Sequence, residues 1–212
     1  MIKLNNSKFS LHHTMQIFIF IAGRCRTFTS CCPKTSKLSF EDLFRKRQSE
    51  VSMGVEVGDV IPNVEIRVLG DDGRPTPVNT GDILGSGKVV LFAVPGAFTP
   101  GCSNLHLPTY TEGAADLAGA GVDLVACVAV NDVWVMGAWS EAYGAQEIQM
   151  LSDGNGEFTA AMGLTMDGSG AGMGSRSKRY AAVIEDGVIT HLAVEEGSID
   201  VSTCSAVLGA IS

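Results

Sequence analysis

The stretch KVVLFAV at Lys88–Val94, followed at once by PGAFTPGCS at Pro95–Ser103, decides how this chain folds. Seven mostly apolar residues rich in β-branched side chains read as a strand buried on both faces, the kind found in the centre of a parallel sheet. Pro95 and Gly96 end it. A helix is predicted next, over Leu105–Ala120, because Leu105, Tyr110, Ala114, Leu117 and Ala118 share one face at helical spacing and Gly121 suits its stop. Cys102 therefore lies where a buried strand gives way to a helix, the usual place for reactive groups in open α/β sheets. In that first turn, unpaired backbone N–H groups and the positive end of the helix dipole favour a thiolate, which is the nucleophilic form of cysteine.

The flanking sequence extends this pattern. Val64–Leu69 alternates apolar and polar residues and meets the turn Gly70-Asp71-Asp72-Gly73. Val122–Val130 is a second buried strand, and Asp132 is placed to cap a helix reaching about Tyr143. Ile148–Leu151 reads as a short strand, Glu157–Met162 as a short helix and Gly163–Ser177 as a glycine-rich loop. Arg179–Glu185 and Val188–Val194 flank Asp186-Gly187, a strong hairpin signal. Thr203–Ile211 is a last short helix. Strands alternating with helices imply an α/β fold with a parallel sheet covered on both faces, and the late hairpin adds an antiparallel edge. A central mixed sheet flanked by helices is thioredoxin-like, although element order alone leaves it one α/β arrangement among several.

Charge divides the chain in two. Residues 1–52 hold nine Lys or Arg against three Asp or Glu, whereas residues 53–212 hold six against twenty. The acidic body argues against nucleic-acid binding, which needs a basic surface. No apolar run reaches the ~18–20 residues of a membrane span. The basic, Ser/Thr-rich leader has no acidic residue before Glu41 and reads as a mitochondrial or plastid presequence, with residues 53–212 as the folded domain. A basic start followed by the apolar run Ile17–Ala22 also allows a secretory signal or a bipartite plastid leader. The leader is expected to be disordered or cleaved, apart from a short helix at Phe40–Arg47. Translation starting at Met53 would leave a cytoplasmic protein.

Cys25, Cys31 and Cys32 lie in the leader, and Cys102, Cys127 and Cys204 in the body. No CxxC or Cys/His spacing suggests zinc. Redox chemistry and inert buried thiols both remain open at this point.

Pro95-x-x-x-Thr99-x-x-Cys102 matches the PxxxTxxC signature of the peroxiredoxins. PGAFTPGCS followed by His106-Leu107-Pro108 resembles the subfamily called type II in plants and type V in animals, and collinear blocks continue through Val128–Asp132, Gly137–Trp139 and Arg176–Tyr180. The resemblance covers roughly residues 55–212. It implies that Cys102 attacks a small hydroperoxide and that the Thr99 hydroxyl bonds the thiolate and the peroxide. It also implies that Arg179 stabilises the charge developing on the leaving oxygen and that Pro95 shields the sulfur. An always-charged guanidinium with several N–H donors suits that role. Phe98 is expected to pack so that the thiol stays partly dry. Arg176 and Lys178 are expected to be solvated charges, and His106 to be structural or on the surface.

Attack on peroxide would leave Cys102 as a sulfenic acid, which a second thiol can capture. Cys204 matches the resolving cysteine of the animal-type enzymes and Cys127 that of the plant-type enzymes. Cys204 is favoured because Cys127 sits inside a buried strand, and glutathione acting from outside is a third option. Regeneration by thioredoxin, or by glutaredoxin with glutathione, follows from the resemblance, as do the lack of need for a metal or organic cofactor and an expected homodimer. Two rival readings are a thiol–disulfide oxidoreductase, disfavoured by the absence of CxxC, and a redox sensor that oxidises without turning over. The Gly168–Gly174 loop is expected to loosen Arg179 or widen access. The helix after Asp132 carries no basic residue for a partner contact.

Overall fold

A computed structural model describes residues 54–212; the leader and its expected helix at Phe40–Arg47 lie outside the described residues. Nine strands are assigned: β1 Glu65–Leu69, β2 Pro75–Asn79, β3 Lys88–Ala93, β4 Leu124–Ala129, β5 Gln149–Ser152, β6 Thr165–Asp167, β7 Ser175–Ser177, β8 Tyr180–Glu185 and β9 Val188–Val194. The α-helices are α1 Thr80–Leu84, α2 Leu107–Gly119, α3 Val133–Ala142, α4 Glu157–Ala161 and α5 Cys204–Ile211. Seven strands form one sheet in the order β2-β1-β5-β4-β3-β8-β9, and β6 pairs with β7 apart from it. The β3–β4 and β4–β5 pairs are parallel, and β8 joins β3 antiparallel. The thioredoxin-like reading holds: a mixed sheet with a parallel centre and helices on its faces.

Alternation along the central strands divides the core. Val90 and Phe92 of β3, Cys127 and Ala129 of β4, and Ala181 and Val183 of β8 face one apolar cluster, which also takes in Tyr110, Trp139 and Val207. Val89, Leu91, Ala93, Ala126, Val128, Ala182 and Ile184 face the other, with Leu84 and Phe158. Cys102, Cys127 and Cys204 all belong to the first cluster. One side of the sheet therefore holds all three thiols among the described residues.

Local signals perform as expected where a side chain caps or a turn demands a special backbone. The Asp132 carboxylate accepts from the Val135 N–H and starts α3. Asp186 and Gly187 both adopt positive φ, 47° and 82°, which a two-residue turn matching the strand twist requires.

Two expectations need correction. Leu105 is 61% exposed and does not belong to the buried face. The chain is helical from Pro100, and Cys102–His106 is a π-helical turn, so the buried residues of α2 are Leu107, Tyr110 and Leu117. Residues 163–177 are no bare loop: β6 and β7 pair, and the turn between them closes with Gly168 N–H donating to the Gly174 carbonyl at 2.7 Å. Two elements, β2 and α1, had no reading at all. Pro75 and Pro77 hide the strand pattern of β2, which tolerates them because it is a sheet edge.

The short helix α4 depends on a remote cap. Asp153 is buried, and its two carboxylate oxygens accept from the N–H groups of Phe158 at 3.0 Å and Thr159 at 2.8 Å. Replacing it by alanine leaves two buried donors unmatched, at ~1–3 kcal/mol each. Asp153→Ala is expected to lower the free energy of urea unfolding by about 2–4 kcal/mol; a loss below about 1 kcal/mol would show that water replaces the cap.

Candidate active site

The site grows from the end of β3. Val94 N–H still reaches the Val128 carbonyl at 3.2 Å. Beyond it the backbone of residues 95–99 is pinned by side chains, since Ala97 N–H donates to Asn131 Oδ1 at 3.0 Å. The Thr99 hydroxyl donates to the Gly96 carbonyl at 2.9 Å, and Ser103 N–H takes the Thr99 carbonyl at 2.9 Å, closing the first helical turn. Pro95 is half-buried at the strand end.

Phe98 adopts φ 62°, an uncommon conformation for a residue with a Cβ. Its ring is 49% exposed and meets Tyr143 edge-on, with centroids 6.2 Å apart. Phe98 thus faces solvent and does not dry the thiol, contrary to expectation. Exclusion of water falls to other residues: Cys102 itself is fully buried, and Trp139 Nε1–H holds the neighbouring Ser103 hydroxyl at 2.9 Å.

Arg179, the residue just before β8, meets the sulfur. Its Nη2–H donates to Cys102 Sγ at 3.3 Å. Antiparallel pairing of β8 with β3 sets Tyr180 beside Ala93, which carries Arg179 to the same sheet end as the helix start. A permanent cation thus aims an N–H donor at the sulfur. The sequence therefore brings Cys102 and Arg179 together from 77 positions apart. The Thr99 hydroxyl lies one turn before Cys102 but is bonded to its own loop.

His106 is the residue that sequence reasoning undervalued. It is completely buried, and its Nδ1 lies 3.0 Å from Arg179 Nη1 while Nε2 lies 2.8 Å from the Ser202 carbonyl. Burial pushes the imidazole down to about 4; the hydrogen bond with Ser202 opposes this, and the Arg179 charge adds to it. The ring is therefore neutral, with one donor and one acceptor. A carbonyl can only accept, so Nε2 carries the proton and Nδ1 receives the Arg179 N–H. The sequence signal was its position: four residues after Cys102, one turn along the same face.

Ser202 continues the network. Its carbonyl also accepts from the Tyr110 hydroxyl at 2.6 Å, and its hydroxyl donates to Glu195 Oε1 at 2.8 Å. Burial pushes the Glu195 carboxyl up, but donation from the Ser202 N–H and hydroxyl and from the Asp200 N–H outweighs it and holds the group below its usual range. Arg176 likewise departs from expectation. It is half-buried, donating through Nε to the Met173 carbonyl and through Nη1 to the Val130 carbonyl, both at 2.8 Å. Lys178 is exposed as expected.

The two remaining thiols are buried. Cys127 sits mid-strand in β4, between Phe92 of β3 and Met150 of β5. Burial, then the neighbouring Cys102, pushes its thiol well up. Cys204 opens α5, and burial followed by Asp116 pushes it up to about 11.

A histidine near 6.5 when unfolded and near 4 when folded makes stability depend on pH. The unfolded chain takes up the proton first. The contribution is complete above pH 6.5 and is lost as pH falls from there towards 4, at up to about 3 kcal/mol. Urea unfolding at pH 7.5, 6.0 and 5.0 is expected to show a steeper fall for the wild-type chain than for His106→Asn; parallel curves would contradict the buried neutral ring.

With this geometry in place, comparison with known proteins is decisive. The family described as Redoxin matches residues 56–208. A protein of Oryza sativa subsp. japonica named Peroxiredoxin-2E-2, chloroplastic, is 46% identical over 154 residues, covering 70% of this chain and 68% of its own length. Peroxiredoxin-2B of Arabidopsis thaliana is 37% identical over 159 residues, 74% of this chain and 98% of its own. The crystal structure of reduced Prx3 from Vibrio vulnificus in complex with hydrogen peroxide superposes with a TM-score of 0.72 at 46% identity, covering 74% of this chain and 99% of that one. A buried cysteine at a strand-to-helix junction, met by a guanidinium, on this sheet and with these relatives, makes the chain a member of the type II peroxiredoxins, a family of thiol-dependent antioxidant peroxidases.

Proposed function

We propose that Cys102 is the peroxidatic residue and that it cycles through a sulfenic acid. The observation that carries this reading is the 3.3 Å contact from Arg179 Nη2 to Cys102 Sγ at the start of a helix. In the first step the thiolate attacks one oxygen of ROOH. An S–O bond forms, the O–O bond breaks, and the leaving oxygen departs with the electron pair and takes a proton to become ROH. Sulfur is oxidised by two electrons. Arg179 stabilises both the attacking thiolate and the developing alkoxide. Thr99 keeps its lone pairs free while donating to Gly96, so it accepts the peroxide hydroxyl. Pro95 limits the approach of water.

A second thiol then attacks the sulfenic acid. The S–S bond forms, the S–O bond breaks and water leaves. Placement supports Cys204 in this role, because the start of a terminal helix moves more readily than the middle of a central strand. Its raised pKa keeps it a poor nucleophile until that movement exposes it. A second reading assigns the role to Cys127, supported by its packing in the same cluster as Cys102 and by the influence of Cys102 on its titration. A dithiol of the thioredoxin type, or glutaredoxin with glutathione, then reduces the disulfide by exchange and is itself oxidised.

Residues 1–52 are proposed as a plastid-directing leader and residues 53–212 as the catalytic domain. The basic, Ser/Thr-rich composition supports this. So do the names of the rice relative and of Peroxiredoxin-2E, chloroplastic, from Arabidopsis thaliana.

NADPH-coupled peroxide consumption by the full chain with a thioredoxin system tests the cycle. Cys102→Ser is expected to lose turnover by at least about 1,000-fold, since no other nucleophile replaces it. Cys204→Ser is expected to oxidise once and stall; stalling of Cys127→Ser instead would assign the resolving thiol to β4. If the wild-type chain is silent with thioredoxin and with glutaredoxin plus glutathione, yet Cys102 oxidises once, the protein is a sensor and the enzymatic cycle is wrong. For the leader, residues 1–52 fused to a fluorescent protein are expected to direct it to plastids. Mitochondrial or cytosolic fluorescence would overturn that assignment.

A further inference from the structure

Five residues form one unbroken chain of hydrogen bonds from the sulfur to the C-terminal segment. Arg179 donates to Cys102 Sγ at 3.3 Å and, through its other terminal nitrogen, to His106 Nδ1 at 3.0 Å. His106 Nε2–H donates to the Ser202 carbonyl at 2.8 Å, and the Ser202 N–H and hydroxyl both reach Glu195 Oε1 at 2.8 Å. Ser202 is fully buried, so each of these groups depends on its protein partners.

The far end of the chain leads directly into Cys204. Thr203 follows Ser202 and caps α5 by accepting from the Ala206 N–H, and Cys204 is the first residue of that helix. Cys204 N–H donates to Thr109 Oγ1 at 3.2 Å. Its sulfur fills a notch at Gly113, where a Cβ would collide with it. The near end lies on the π-helical turn, with Cys102 its first residue and His106 its last. A single turn of backbone thus carries both the reactive sulfur and the ring that grips the segment before Cys204.

We propose that His106 is a positioning residue with two separable tasks: Nδ1 holds the Arg179 guanidinium on Cys102, and Nε2 holds Ser202 and so keeps the start of α5 closed over Cys204 while the Cys102 turn is intact. When that turn unwinds, His106 leaves with it, the Ser202 carbonyl loses a donor, and the cap of α5 is loosened. Freeing Cys102 and freeing Cys204 become one motion. The meaning of that coupling for turnover rests on Cys204 being the resolving thiol, but closure itself can be read in reduced protein whichever thiol resolves.

The two tasks can be separated by side-chain shape. Asparagine places a carbonyl oxygen near the Nδ1 position, where it accepts from Arg179 but donates nothing to Ser202. Glutamine places an amide N–H near the Nε2 position, where it donates to Ser202 but leaves Arg179 without its acceptor. Leucine does neither. In the full chain, two rates are measured: oxidation of Cys102 by hydrogen peroxide in stopped flow, and alkylation of Cys204 by iodoacetamide in the reduced protein, resolved by peptide mass. His106→Leu is expected to slow oxidation and speed alkylation, each by about tenfold or more, the range typical of lost supporting contacts around a reactive centre. His106→Asn is expected to recover oxidation but not closure, and His106→Gln to recover closure but not oxidation. Should His106→Leu fail to fold, the crossed order of Asn and Gln in the two assays carries the test alone. The same order in both assays, or no change in either, would reduce His106 to packing and overturn the proposal.

Discussion

Everything near the sheet end answers to one demand, that a cation be held against a buried sulfur. Moving a guanidinium out of water costs several kcal/mol unless its N–H groups find partners. Arg179 meets that demand with the sulfur on one terminal nitrogen and an imidazole lone pair on the other. A carboxylate would be the commoner partner, but it would offset the charge that meets the sulfur. A neutral ring accepts the hydrogen bond and leaves the positive charge for Cys102. Burial is what keeps the ring neutral, so the hydrophobic packing of Phe92 and Tyr110 around His106, with centroids 5.3 and 5.6 Å from it, is part of the electrostatics of the site.

The same demand explains the hairpin. Arg179 must come from outside the β3–helix unit, and the antiparallel pairing of β8 with β3 delivers it to the correct end. Its backbone carbonyl accepts the Glu195 N–H at 2.9 Å from the returning strand. Glu195 then gathers Ser202 with its side chain. One residue pair across the hairpin therefore fixes the arginine and anchors the segment that follows β9. The two-residue turn at Asp186-Gly187 and the register shift between Val183 and Ile184 together set the register on which this pairing depends.

What the sequence disclosed and what it concealed follow from the range of the interactions. Buried β3 and β4, the Asp132 cap and the Asp186-Gly187 turn are written in contiguous residues and were legible. Cys102 and Arg179 were legible through resemblance, although only the folded sheet shows their contact. Strand β2 was hidden because Pro75 and Pro77 break strand propensity, and the rule that edges tolerate proline needs the sheet order first. Leu105 misled because a π turn inserts an extra residue, which rotates the apolar stripe onto Leu107, Tyr110 and Leu117. Arg176 read as solvated because its carbonyl partners, Met173 and Val130, include one 46 positions away. His106 was the largest omission. A histidine is ambivalent on paper, and only the Ser202 carbonyl on one side and the Arg179 guanidinium on the other determine its protonation and its use.

The π turn also bears on why this site can be both closed and reactive. Wide turns of this kind are rare and recur at functional positions. Here the Leu107 N–H reaches back to the Cys102 carbonyl across five residues, which places Cys102 on the π turn of its helix. Its neighbours compensate from outside: Trp139 holds Ser103, Ser202 holds His106, and Arg179 holds Cys102 itself. Support for this turn thus comes from tertiary contacts, and two of the three act on Cys102 and on His106, which shares its turn. In the proposed cycle, oxidation would place an oxygen on the atom to which Arg179 donates, weakening that contact and with it the acceptor geometry at His106. A helix start of ordinary α geometry would survive that loss through its own hydrogen bonds. A π turn has less to fall back on, so the turn that holds Cys102 against Arg179 is also the part of the site that depends most on its neighbours.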